Sequence, residues 1–327
     1  MKSHKSKTIT LLLLLFLMLA LPALAAEATP PPENQAPIAD DLELTTFRGV
    51  DVSGALTATD PEGDLFEFQL VRSPRKGEVA LDQSTGRFTY APNENARGRD
   101  HFTYVAIDAQ GNISPEATVR FRIERQSRQV SYADMDGHPA HLSALSLAEQ
   151  GLFVGEQVGA RYFFNPTAPV RRGEFLAMSM QLADTELLTG VVRTGFDDDE
   201  EIDDWLKPYV STAVLGGVVQ GFRAPNQDLV FGAENYITLN EAAVMLSHIL
   251  ELDYVPVSGN LQTALIAPDW ARQAKANLIA ENIIPLSYPG VQQRPLTRAD
   301  VADMLFGAMY VLEGRAAPAS SLLGWAT

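Results

Sequence analysis

Arg172 and Arg298 are the side chains best suited, by type and position, to hold an anion. Each stands two residues ahead of a carboxylate in a segment that the chain writes three times: Val170-Arg171-Arg172-Gly173-Glu174, Ile237-Thr238-Leu239-Asn240-Glu241 and Leu296-Thr297-Arg298-Ala299-Asp300. Thr238-x-x-Glu241 and Thr297-x-x-Asp300 have the spacing of a helix capping box, in which Thr accepts from the third amide and the carboxylate reaches back to the cap amide. The shorter Asp300 predicts a weaker box. In the first copy Arg171 replaces Thr, so the helix carrying Glu174 needs another cap. A capping box has no use for a cation in the first turn, where the macrodipole opposes positive charge. Arg172 and Arg298 therefore require a compensating anion: either a neighbouring carboxylate or a ligand acid gripped bidentately by the guanidinium. The second copy has Leu239 at this position and lacks the contact.

Three further residues suit a sugar: Trp205 and Trp270 by stacking and Lys207 by donating. The alternative is that each Trp, at the first turn of a repeated helix, seals an interface between copies. Asp60, Glu62, Asp64 and Asp108 offer the hard oxygen ligands that calcium takes, although Asp60-Pro61-Glu62-Gly63-Asp64 is equally a turn capped by its own Asp. The acidic run from Asp197 to Asp204 lacks the alternating spacing and central Gly of a calcium loop, and reads as a solvated approach to a helix at Trp205. His138 and His141 form the one close histidine pair, with Pro139 between them. There is no Cys, which excludes disulfides and thiolate chemistry. With no Gly-x-Ser-x-Gly elbow, phosphate loop or dinucleotide fingerprint, the expected protein is not an enzyme and requires no cofactor, calcium being the one ion its acidic turns admit.

The elements that position these residues fall into two blocks behind a leader. Lys2, Lys5 and Lys7 precede an apolar run from Leu11 to Leu21, and Ala23-Leu24-Ala25 supplies a small-residue cleavage pattern, so residues 1–25 read as a secretory signal peptide. The run is shorter than the roughly 20 residues of a membrane span, and no second one follows, so no span is expected in the mature chain. The net charge of −16 argues against nucleic acid and anionic membrane as partners, since both need clustered Lys and Arg. Residues 26–37 form a Pro-rich spacer.

Residues 38–124 alternate apolar with polar positions, as in 65–71, 86–90, 101–107 and 117–123, with Asp-Pro-Glu-Gly, Ser-Thr-Gly, Pro-Asn-Glu-Asn and Ala-Gln-Gly-Asn turns between them. About seven short strands spaced as in a β-sandwich are predicted. The order of Asn34-Gln35-Ala36-Pro37, Ala58-Thr59-Asp60-Pro61-Glu62-Gly63-Asp64, Gly86-Arg87-Phe88-Thr89-Tyr90 and Asp108-Ala109-Gln110-Gly111 resembles bacterial immunoglobulin-like and cadherin-like repeats. Residues 125–131, polar and without period, mark a linker.

Beyond it the three copies of the segment close units at 132–190, 191–255 and 256–315, with a tail at 316–327. Tyr132-Ala133-Asp134 and Phe196-Asp197 head the first two units, Pro268-Asp269-Trp270 begins the third, and Trp205 and Trp270 each stand twelve residues before the turn positions Gly217 and Asn282. A first helix, a turn, an aromatic loop and a second helix recur in this order, the turn reading Gly-x-x-x-Gly in the first two units and having Asn282 and Leu286 in place of both glycines in the third. That order is similar to the S-layer homology family. The resemblance implies an all-α threefold domain, a pseudo-trimeric helical bundle, which anchors an exported, non-catalytic protein to an anionic wall polysaccharide. Pyruvate ketals are among the acidic groups such anchors hold, in grooves between units. On this reading Arg172, Arg298, Trp205, Lys207 and Trp270 touch glycan, and the sandwich projects as a spacer or adhesive module. Two other readings stay open: a calcium-dependent adhesion or glycan-binding module with its ligand on the sandwich, and a cell-wall hydrolase. The oligomeric state is not legible.

Overall fold

A computed structural model describes residues 34–257, 265–285 and 294–314. Residues 1–25, read as a signal peptide, most of the Pro-rich spacer, the turn residue Leu286 and the tail at 316–327 lie outside the described residues.

The period-two block folds as nine strands: β1 (Ile38–Ala39), β2 (Leu42–Phe47), β3 (Val52–Ala55), β4 (Ala58–Thr59), β5 (Phe66–Arg72), β6 (Gly77–Leu81), β7 (Arg87–Pro92), β8 (Gly98–Asp108) and β9 (Ala117–Glu124). Two sheets of order β2-β9-β8-β5 and β3-β7-β6 face one another, with β1 and β4 paired apart. All pairs are antiparallel except β2 with β9, where Leu44 lies beside Phe121. The alternation predicted from sequence is what fills the space between them. Phe88, Tyr90, Val119 and Phe121 are buried while their strand neighbours are partly or fully exposed, β8 is instead buried without a break from Phe102 to Ala106, and the Tyr90 ring stacks on Phe121 at 3.9 Å. The two buried tyrosines carry polar ends that need partners. Tyr90 donates to Asp100 at 2.8 Å, and Tyr104 donates to the carbonyl of Asp40 at 2.6 Å.

The C-terminal block corrects the expectation of an all-α bundle: it is mixed. Among the described residues its helices are α1 (His141–Gln150), α2 (Arg172–Leu182), α3 (Lys207–Leu215), α4 (Leu239–Ile249), α5 (Asp269–Ala280) and α6 (Arg298–Leu312). Antiparallel hairpins stand between the helices of the first two units: β10 (Glu156–Val158) with β11 (Arg161–Phe163), and β12 (Phe222–Arg223) with β13 (Leu229–Val230). The reason is local. Gly155 and Gly221 open the hairpins at φ +80° and +70°, and a Cβ at either would stand 2.5 Å from the Phe163 carbonyl or 2.7 Å from that of Val230. Only glycine turns the chain there, and what read as an aromatic loop becomes a β-ribbon.

The three units close on one another. The second helix of each packs on the first helix of the next: α2 on α3, α4 on α5, and α6 back on α1. At the centre the repeated segments form a cycle of backbone hydrogen bonds. The Val170 amide donates to the Leu296 carbonyl (3.0 Å), Leu296 to Ile237 (2.9 Å), and Ile237 to Val170 (3.0 Å). This arrangement supplies the missing cap of α2. The amides of Arg172 and Gly173 donate to the carbonyls of Asn235 and Ala233 in the neighbouring unit, and those of Arg298 and Ala299 donate to Ala168 and Pro166. First-turn amides are thus satisfied by carbonyl oxygens, and a cation beside them meets a field less positive than a bare helix end. Asp300 completes its box despite the shorter side chain. It accepts from the Thr297 amide at 2.7 Å, against 2.9 Å for Glu241 and Thr238, and Arg294 braces it.

The polar stretch at 125–131 is pinned to α1, since the amides of Ser127 and Arg128 both donate to Glu149 at 3.0 Å. A cleft of about 600 Å³ lies between β2 and helices α1 and α6, floored by Phe47, Leu142 and Phe306.

Candidate functional site

Arg172 and Arg298 occupy equivalent positions but meet different surroundings. Arg172, its side chain 9 % exposed, sits between units: Nη1 donates to Glu241 at 3.0 Å and Nε to the Phe231 carbonyl at 3.1 Å, with the guanidinium 5.2 Å from the Phe231 ring centre. Burial lowers its pKa, and the Glu241 carboxylate opposes that shift. Here the compensating anion is a neighbouring carboxylate. Arg298 reaches the first unit in the same manner, with Nη1 on the Phe164 carbonyl at 3.1 Å and the guanidinium 4.8 Å from the Phe153 ring. Its carboxylate is Glu156 on β10, at 3.0 Å, and the two side chains are 22 % and 60 % exposed.

Arg298 lines a cavity of about 410 Å³ with Phe153, Met178, Trp205, Tyr209 and Glu174. Among the described residues Arg298 donates through Nη1 alone, so Nε and Nη2 remain available. Trp205 is 55 % exposed, donates to Asp203 at 3.0 Å and meets Tyr209 edge to face. More than half of its surface is exposed, at a place where the units meet. Its other side borders a second, polar cleft with Arg171, Glu174, Glu201 and Glu234, where Arg171 and Glu234 form an ion pair. An exposed indole beside an arginine with spare donors is chemically fit to stack on a sugar ring and hold an acid attached to it. Trp270 also stands exposed, away from this cavity's lining.

Lys207 is turned inward. Its ammonium contacts Asp199 at 3.2 Å and Asp204 at 3.3 Å, and the residue is buried. Desolvation works to lower its pKa, but these pairs outweigh it and the net shift is upward. The acidic run before it is correspondingly structural in part. Asp198 clamps the amides of Phe231 and Gly232 at 2.9 and 2.7 Å, as Asp134 clamps those of Phe164 and Asn165 in the first unit. Asp199 accepts from the Thr194 amide, the leading cause of its lowered pKa. The run is therefore not a wholly solvated approach.

In the sandwich, Asp60 accepts from the amides of Glu62 and Asp64, both at 3.0 Å, and Asp108 accepts from those of Gln110 and Asn112. Each Asp holds its own turn, and among the described residues no group of three acidic or histidine side chains converges as a metal site would require. One Asp60 oxygen, Oδ2, is buried without a hydrogen-bond partner.

Glu156, Phe153 and Tyr209 belong to the site without carrying a motif that marks them in the sequence. The closely spaced glycines Gly155 and Gly159 are the one signal in the sequence for the hairpin that carries Glu156.

The two facing sheets are those of an immunoglobulin-like domain, and residues 34–125 match the family of the bacterial cadherin-like domain. No curated protein matches the chain. Among solved structures, the endo-fucoidan hydrolase MfFcnA4 is 15 % identical over 33 % of this chain, with a TM-score of 0.25. Human protocadherin-24 EC1-2 is 18 % identical over 28 %, at 0.24. The SrpA adhesin from Streptococcus sanguinis is 17 % identical over 38 %, at 0.23. The chain spans 16 %, 46 % and 74 % of these proteins respectively. Among the described residues no helix is long and apolar enough to cross a membrane.

Proposed function

We propose that this is an exported, non-catalytic surface protein, held to an acidic cell-wall polysaccharide through its C-terminal repeats in the manner of S-layer homology anchors. Its bacterial cadherin-like domain serves adhesion or spacing. The observation that carries the reading is the cavity where Arg298, with unused donors, faces Trp205 and Tyr209. Cation and aromatic faces together suit a saccharide bearing a carboxylate, such as a pyruvate ketal. Co-sedimentation of the full chain with purified wall sacculi tests it. Binding should be lost when the acidic polymer is stripped from the wall, and lost with Arg298→Ala or Trp205→Ala while Trp270→Ala binds as wild type. Undiminished binding to stripped sacculi would overturn the anchoring role.

A second reading, calcium-assisted adhesion by the sandwich, draws on the partnerless Asp60 Oδ2. A cation is what a buried carboxylate oxygen without a donor lacks. It predicts that millimolar calcium raises the thermal midpoint of the protein and that Asp60→Asn abolishes the rise; an unchanged midpoint would remove it.

A further inference from the structure

Within one molecule the same arginine is found in two settings. Arg172 reaches the second unit, where the position equivalent to Glu156 is Phe222, directly after Gly221 as Glu156 directly follows Gly155. With no hairpin carboxylate to meet, Arg172 lies on the capping glutamate Glu241 and is almost wholly buried. Arg298 reaches the first unit, where the corresponding capping glutamate is Glu174. That glutamate lines the same cavity as Arg298, yet it accepts from the Arg171 amide at 2.8 Å while Arg298 goes to Glu156.

We propose that Glu156 is the positioning residue of this site. By drawing Arg298 onto the rim of the hairpin it keeps the guanidinium off Glu174 and the groove beside Trp205 open to an acidic ligand. Phe222, at the matching place, lets the Arg172 groove close on Glu241. The physics is a choice between two carboxylates for one cation. The exposed pair with Glu156 costs little desolvation and leaves donors free, whereas a pair inside the groove consumes the site. The inference rests on the reading of the Arg298 cavity as an anion site, and it extends that reading to why one groove is competent and the other is latched.

The test uses the full chain and two readouts. The first needs no ligand: NMR of the arginine side chains should show Arg298 in Glu156→Phe taking up the slow hydrogen exchange of Arg172. The second is calorimetric titration with a methyl glycoside carrying a 4,6-linked pyruvate ketal, with its neutral methyl ester as control. Glu156→Phe should weaken acid binding at least tenfold, and adding Glu174→Gln, which keeps the helix cap but removes the competing charge, should restore it. Phe222→Glu should raise the stoichiometry from one site to two. Unchanged Arg298 exchange in Glu156→Phe, or tighter acid binding by Glu156→Gln, would overturn the inference, the latter showing Glu156 to be only a competitor. Failure of wild type to bind the acid, with the exchange change present, would instead overturn the anion-site reading and leave the positioning role standing.

Discussion

Arg172 on α2 and Glu241 on α4 meet at 3.0 Å across the boundary between the first two units. The guanidinium is buried there, so Arg172→Ala strands a carboxylate and the Phe231 carbonyl in a poorly solvated place. Breaking such a pair costs about 3 kcal/mol. The Arg298–Glu156 pair, whose glutamate is exposed, is worth about 1 kcal/mol or less. Arg172→Ala should therefore lower the urea midpoint clearly, and Arg298→Ala scarcely. Equal losses in the two variants would show that the burial difference carries no energy.

Asp134 and Asp198 perform one task in two units, each holding a pair of consecutive backbone amides. Replacement by Ala leaves two donors without partners, at about 1–3 kcal/mol for each that stays buried. Both variants should lose stability by similar amounts, with the loss larger than for Asp204→Ala, whose carboxylate is solvent-exposed. Equilibrium unfolding of the three variants measures the ranking.

His138 and His141 face Asp134, Asp136 and Asp51 near the start of α1. Burial lowers both pKa values from 6.5, and these carboxylates only partly oppose it. His138 Nδ1 accepts from the Ala140 amide, which only a neutral ring can do. The unfolded chain thus takes up these protons at higher pH than the folded protein, so stability falls as pH drops below about 6.5 and on through the lowered folded values. Asp51, raised by burial, pulls the other way as it protonates toward the acid end. Stability measured from pH 8 to 5 should decline, and His138→Gln with His141→Gln should flatten the decline.

Gly155→Ala places a side chain in the left-handed region, at about 1–2 kcal/mol, and drives its Cβ toward the Phe163 carbonyl. The hairpin should shift and take Glu156 with it. Retained sacculus binding together with the stability loss would show that the site tolerates movement of β10.

Much of this was legible because periodicity is a local property. The alternation in 86–90 and 117–123 survives as the buried faces of β7 and β9, and Thr238-x-x-Glu241 forms the box its spacing implies. What failed did so for non-local reasons. Nothing near Arg172 in the chain marks it as buried, because its partners Phe231 and Glu241 arrive from the next unit. Lys207 looked free because Asp199 approaches it only after the acidic run folds back into a 3₁₀ turn at Asp199–Glu201. The hairpins escape a sequence reading because two- and three-residue strands scarcely register as alternation, and their glycines fit a Gly-x-x-x-Gly turn equally well.

The cycle through Val170, Leu296 and Ile237 sets the copy number of the repeat. In an open solenoid each unit contacts only its neighbours, and units are added or lost at the ends with roughly constant effect. A ring has no ends: every segment donates to one neighbour and accepts from the other. Deleting the third unit would leave the Val170 amide and the Ile237 carbonyl both without partners, and a fourth could enter only by opening the ring. The three units of this block are therefore one cooperative object, in which the groove chemistry of a unit can change while the number of units cannot.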